Sequence, residues 1–485
     1  LKHLKVKTGH LMIWSIAWKN VWRNRKRSLV VIVAVSLGIT GGVFLFGFVE
    51  GWSRQRMDNA IYNEVSHIQI HNSEYRKNEE IGLTVQNLNG LSRSIDTLRE
   101  LSAWTKRTKI IAMLETPWGN TGLKLYGINP EKEKRISRIH NMIVRDGGRY
   151  IDKKNPSDIL ISDKTADMLK LKHYIISDTV IAKLTGGKIP ERIIEKLERL
   201  KNIRYRSSGD FNEALIAEMG KKETESFGPV ISELSRSYRI RSRIQVTISD
   251  LGGNPVHGIF RVCGVYRTAN TGFDQTTAFV NEDELVKLYG GKEILTHEIA
   301  ILLNNTDESG MVRDKLNRIA GNNSVSTWRE LAPDAALLND FMIVYYFIFI
   351  GIIMLALAFG IINTMLMAVL ERTRELGMLM AIGMNRRRVF AMIMLETVFL
   401  TFTGAIAGML SGWVITGILG KTGIYLSGWA EGFEALGFAS RVYPVVTIDF
   451  IMFTSLMVTA TAILASVWPA RKALKLIPAD ALSTK

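Results

Sequence analysis

Four runs along the chain carry no charge, or one, over lengths that cross a bilayer. They are residues 29–49, 341–370, 389–420 and 450–470. A helix needs about 20 apolar residues to cross the hydrocarbon core, so each run predicts a membrane-spanning helix. Between the first two runs lies a long polar stretch whose hydrophobic period switches between two and 3.6. VSHIQIH (65–71), IQVTISD (244–250), GIFRVCGVY (258–266) and HEIAILL (297–303) alternate as strands. DKTADMLKL, PERIIEKLERL, NEDELVKLYG and SGMVRDKLNRIA repeat their apolar positions as helices do. The stretch 183–240 is helix-rich and charged, and reads as an insertion between strands. Thr327 and Glu330 have capping-box spacing and open the stalk into the second span. The predicted fold class is a membrane protein with four transmembrane α-helices and a large α+β extracytoplasmic domain between helices 1 and 2.

Charge supplies the orientation. The net charge is +16, and residues 1–27, 371–388 and 471–485 carry +8, +3 and +3 of it. All three pieces abut apolar spans and obey the positive-inside rule, which leaves no need for a nucleic-acid partner. The expected organisation follows. Residues 1–27 form a cytoplasmic interfacial helix, 28–50 the first span, and 51–340 the outer domain with its stalks. Residues 341–370 form the second span, 371–388 a cytoplasmic coupling segment, and 389–420 the third span. Residues 421–449 form an outer loop, 450–470 the fourth span, and 471–485 a cytoplasmic tail. The expected place is the inner membrane, with the large domain in the periplasm.

Trp14, Trp18 and Trp22 recur every four residues and share one side of a helix. Indole rings favour the membrane–water boundary, so this side is expected to lie on the inner leaflet. Gly38 and Gly42 in the first span form a GxxxG pair. Gly404, Gly408 and Gly412 in the third form a longer small-residue ladder. Both are expected to pack helix against helix. Glu396, alone inside the third span, reads as a partnered acid close to the inner surface. His67 and His71 invite a metal, but four strand residues separate them by about 13 Å, too far for one ion to bridge. The single cysteine, Cys263, excludes an intrachain disulfide and any multi-cysteine metal site. GILGKT (417–422) ends like a phosphate loop, but Ile415 stands where its first glycine belongs. No catalytic set and no metal site announces itself.

The segment 371–388 reads ERTRELGMLMAIGMNRRR and joins two spans. It is denser in charge than a plain connector needs. Glu371, Arg372, Arg374 and Glu375 alternate in sign; on a helix Glu371 would share a face with Arg374 and Glu375, leaving Arg372 turned elsewhere. Exposed pairs within one helix are worth only about 0.3–0.5 kcal/mol, so a docked partner is the better reason for them. Gly377 and Gly383 would permit a tight turn or a close approach.

From ERTRELG through GMLSG, and again at PARKALKLIPADAL, the chain resembles FtsX-like ABC transporter permeases of the mechanotransmission group. SHIQIHNSEY, LKLYGINP and GVYRTANTGFDQTTAFVNEDEL are most similar to the lipoprotein-releasing LolC/LolE branch. The resemblance implies a permease that binds no cofactor itself. ATP and magnesium would be held by a cytoplasmic ABC ATPase dimer docked on 371–388. It also implies a second permease copy or paralogue, a lipoprotein substrate and a periplasmic carrier. The alternatives are a MacB-like efflux permease for peptides or small molecules, and a transmembrane signalling or scaffold protein.

Overall fold

The computed structural model describes residues 14, 18–19, 21–23, 25–186, 189–426, 428 and 430–474. Contacts divide the chain into two compact units. One holds the four long helices, and the other is made by Arg56–Ala336 together with Trp429–Ala439.

The helices of the first unit are Arg25–Asn59, Pro333–Glu371, Arg386–Thr422 and Ile448–Leu474. All four are long and apolar enough to cross a membrane. The first two outrun their apolar stretches because they continue as stalks. The first stalk does not stay α-helical through Glu64: it loosens into a π-helical turn, Ala60–Val65, and stops at Ser66 with φ of 65°. The second stalk opens through the capping box. Glu330 Oε2 accepts from the Thr327 backbone N–H at 2.9 Å, and Pro333 then starts the long helix. Proline suits a first helical turn because its missing N–H would have no partner there.

The second unit is built on a ten-stranded sheet. Its first five strands are β1 (Ile68–Asn72), β2 (Leu101–Thr116), β3 (Gly119–Ile128), β4 (Ile143–Gly148) and β5 (Asp158–Ser162). A smaller sheet holds β6 (Lys172–Ile175), β7 (Arg204–Tyr205) and β8 (Arg236–Tyr238). The large sheet then resumes with β9 (Arg243–Ser249), β10 (Pro255–Tyr266), β11 (Thr277–Asn281), β12 (Glu298–Leu303) and β13 (Asn323–Thr327). Its order is β13-β1-β12-β2-β3-β11-β5-β10-β4, with β9 bridging β10 and β2. Alternation sorts the faces. Ile68, Ile70, Ile299 and Ile301 share one apolar cluster, while Gln69 and His71 point to the other side. The insertion is larger than 183–240: the small sheet starts at Lys172 and shares a core of Tyr174, Phe211, Leu215 and Ile231 with four helices.

The central strands bury charge, and that charge is paired. Arg107 donates to Glu133 at 2.6 Å and to Glu298 at 2.7 Å, and Lys109 also binds Glu298. Burial alone would push the Glu298 carboxyl up; Lys109 and Arg107 hold it instead at about 2. His67 and His71 are core residues. His67 Nε2 bonds Thr306 Oγ1 at 2.9 Å, and His71 Nδ1 bonds the His297 carbonyl at 3.0 Å. Burial lowers both to about 4, so they are neutral at physiological pH. The Cys263 thiol is buried and pushed up to about 12, far from a reactive thiolate.

Candidate functional site

The segment between the second and third spans is a short helix held in a bracket of turns. The second long helix ends at Glu371, and Arg372 leaves helical geometry with φ of −106° and ψ of 17°. The short helix runs Thr373–Ala381. Gly383 then turns the chain with φ of 101°, a left-handed value that favours glycine. Asn385 starts the third long helix by accepting the Arg387 backbone N–H at 3.1 Å.

Breaking the helix at Arg372 changes what the charges do. The Arg372 guanidinium turns inward to Glu396 of the third span, with Nη1 donating to Oε2 at 3.0 Å. Its Nε donates to Glu375 at 2.9 Å, and Glu375 also accepts from Arg23 at 2.6 Å. Arg23, Glu375, Arg372 and Glu396 thus form one chain of ion pairs from the amino-terminal segment into the third span. Arg23 and Arg372 hold the Glu375 carboxyl below its usual range. Glu396 is 3% exposed and partnered. Arg372 and Glu375 therefore have partners within the bundle, which the expectation of a docked protein did not include. A single-helix view missed this, because Arg372 is not on the helix.

What remains outward is a distinct face. Leu376 and Gly377 are buried, so Gly377 packs inward and offers no approach for a partner. Glu371, Arg374, Met378 and Ala381 are exposed at helical spacing, followed by Ile382, Gly383 and Arg386–388. Ile382 is 79% exposed and Met378 52%. An apolar tip ringed by arginines is the most conspicuous surface of this segment.

The glycines behind it set helix spacing. A Cβ on Gly404 would come within 2.9 Å of the Ile32 carbonyl, and one on Gly408 within 2.8 Å of the Ser36 carbonyl. One on Gly412 would meet Val43 at 3.1 Å. The ladder thus seats the third span on the backbone of the first, where Thr40 and Ser411 hydroxyls meet at 2.6 Å. Gly42 is tight, at 3.0 Å from Ile350 and Thr454 side chains. Gly38 is not, since its Cβ would make ordinary contact with Leu357 at 3.5 Å. The GxxxG pair thus demands only one of its glycines. Pattern reading passed over Gly47 and Gly51, whose Cβ atoms would collide with Val446 and with the Tyr443 carbonyl. They are themselves a GxxxG pair at the outer end of the first helix, and the stretch before the fourth span crosses there.

Trp14, Trp18 and Trp22 are each about half exposed. Trp14 and Trp18 both meet Phe399 of the third span edge-on, at 5.4 and 5.3 Å. Much of the amino-terminal segment and residues 475–485 of the tail lie outside the described residues. In the second unit the loop between the last two spans contributes the helix Ala430–Ala435, and Glu434 receives Arg267 at 2.8 and 3.0 Å. The 421–449 stretch is thus not a free loop: 429–439 belongs to the outer domain.

Residues 347–478 match the family model described as FtsX-like permease C-terminal. That match covers the second span, the short helix and the last two spans. Residues 347–478 thus form an FtsX-like permease domain. Among curated proteins, it is 36% identical over 123 residues to the macrolide export ATP-binding/permease protein MacB of Chlorobium luteolum, covering 25% of this chain and 16% of that one. It is 26% identical over 259 residues to MacB of Brucella abortus, covering 48% and 36% respectively. The chain therefore spans well under two thirds of the relatives it matches. Two solved structures align at a TM-score of 0.28 each. They are the extracellular domain of the noncanonic ABC-type transporter YknZ (12% identity, 54% of this chain, 99% of that) and the periplasmic region of MacB from Actinobacillus actinomycetemcomitans (9%, 57%, 94%). A permease-family domain, four apolar spans and a large domain between the first two fit an inner-membrane protein with a periplasmic domain.

Proposed function

We propose that this permease is the membrane subunit of an ABC transporter, and that a separate cytoplasmic ATPase dimer docks on the short helix 373–381. ATP and magnesium belong to that partner. The observation that carries the reading is the outward face of Arg374, Met378 and Ile382, with Ile382 79% exposed where the chain turns at Gly383. An apolar tip of Met378 and Ile382 rimmed by four arginines, Arg374 and Arg386–388, is the kind of surface that marks a protein contact. The four-residue ion-pair chain behind it gives the face a rigid mount. A push on the short helix would reach the third span through Arg372–Glu396 and the amino-terminal segment through Arg23–Glu375. Glu371 and Gly383 contribute at the edges, Glu371 as an exposed charge and Gly383 as the turn.

The cargo is handled on the outer side. The named relatives favour export of the MacB kind; release of lipoproteins to a periplasmic carrier, favoured by the SHIQIHNSEY and GVYRTANTGFD stretches, is the second reading. A second permease copy or paralogue suits the first two spans, of which only 28% and 24% of the apolar window is buried. A signalling scaffold is disfavoured by the rigid mount, which suits force transfer. Substituting Ile382→Asp tests the docking. The permease is expected to reach the membrane at normal abundance while ATPase co-purification falls about ten-fold or more, the size of a lost central apolar contact. Full ATPase recovery with the variant would remove the short helix from the coupling surface. Reversing Glu375 is a poorer test, because it also breaks the pairs with Arg23 and Arg372.

A further inference from the structure

The outer domain carries a second feature that the transport reading does not use. Three segments meet around a groove of about 900 Å³: the 149–158 loop, the 240–243 turn and the middle of β10. Close backbone packing builds it. A Cβ on Gly148 would collide with the Cys263 carbonyl, and one on Gly264 with the Arg149 carbonyl. The floor is therefore main chain, and the walls are side chains from each segment. Arg149, Lys154, Arg241, Arg243 and Arg261 line the groove against a single carboxylate, Asp158. That carboxylate is already bonded to Arg149, which also holds Asp152 at 2.8 Å.

The other four cations are uncommitted. Lys154, Arg241, Arg243 and Arg261 form no ion pair or side-chain hydrogen bond among the described residues, and Arg261 only lies in the field of Asp158. Like charges gathered at one place repel, so the arrangement costs free energy unless an anion occupies it. Arg241 is also held at φ of 67°, a left-handed value unfavourable for a side-chain-bearing residue. Its N–H donates to the Val262 carbonyl at 2.8 Å, which fixes the turn against β10. Strain of that kind points to a constrained position. Ile259 adds an apolar wall and is 65% exposed on the same strand, beside Ile240 of the turn.

We propose that this groove binds a phosphate group of more than one negative charge, carried by a lipid headgroup or by a small phosphorylated solute. Guanidinium forks match phosphate oxygens in pairs. Several of them around one concave floor suit a compact multivalent anion better than one carboxylate. Ile259 would lie along the carbon skeleton next to that phosphate, which favours the lipid source. This reading does not depend on the ATPase docking above.

The test uses the full chain in phosphatidylcholine nanodiscs and titration calorimetry with dihexanoyl phosphatidic acid, pyrophosphate and poly-glutamate. Wild type is expected to bind both phosphate probes. The pair Arg243→Gln with Arg261→Gln should weaken both by about ten-fold or more, because hydrogen bonds to charged groups are worth roughly that each. Lys154→Gln, on a separate exposed loop, should weaken both as well and guards against a fold defect in the pair. Tighter binding of phosphatidic acid than of pyrophosphate, reduced by Ile259→Asn, assigns the lipid source; equal binding, unmoved by that change, assigns a soluble phosphate. Unchanged affinities in both basic variants, or poly-glutamate bound as tightly as pyrophosphate, would overturn the proposal.

Discussion

Arg372 and Arg23 show how two chemically similar arginines differ in weight. Both pair with Glu375, but Arg372 also reaches Glu396, whose side chain is 4% exposed, while the Arg23 side chain is 56% exposed. Removing one partner of a buried pair costs about 3–5 kcal/mol, because the other charge is left without compensation. An exposed pair is worth about 0.2–1 kcal/mol. Arg372→Ala is therefore expected to lower the thermal midpoint of the purified permease by several degrees, and Arg23→Ala to leave it nearly unchanged. Equal shifts in the two variants would mean that water reaches Glu396. A further substitution of Glu396→Gln in the Arg372→Ala background should recover much of the loss, since it removes the stranded charge.

At the scale of elements, the third span is seated by glycine on the first. Spans gain no hydrophobic drive from pairing in lipid, so close backbone approach and dispersion must supply the association. A Cβ on Gly408 would lie 2.8 Å from both the Ser36 carbonyl and the Ile39 side chain, whereas one on Gly38 has ordinary room at 3.5 Å from Leu357. Gly408→Leu should lower the yield of folded permease in detergent several-fold, and Gly38→Ala should be tolerated. Size-exclusion profiles and membrane abundance measure both. A Gly408→Leu protein of normal yield would place the ladder against lipid. The sequence ladder ranks these glycines alike, and only the neighbouring backbone separates them.

For the molecule as a whole, three short basic pieces and four spans imply opposite sides of the membrane for 371–388 and for the large domain. In intact cells, Arg387→Cys should resist an impermeant thiol reagent, and Glu195→Cys on the inserted subdomain should react. Native Cys263 is buried and adds little background. Labelling of Arg387→Cys from outside would reverse or break the four-span arrangement. The chain passes between the membrane unit and the outer domain four times: once along each stalk, and at both ends of the 429–439 segment, which Arg267–Glu434 anchors.

Local physics made the spans, the side of the basic loops, the capping box and four of the outer domain's strands, β1, β9, β10 and β12, legible in the sequence. Twenty apolar residues, a cluster of arginines at a span end, or strict alternation each carry their meaning within a few residues of chain. Three things needed the tertiary structure. Arg372 leaves its helix, so its partner is 24 residues away in sequence rather than on the next turn. Gly47 and Gly51 matter because of a loop some 400 residues later. The groove collects its five cations from three segments, and only the fold brings Arg149, Lys154 and Arg261 beside the arginines of 241–243. Each depends on which backbone comes close to which, and neither period nor composition encodes that distance.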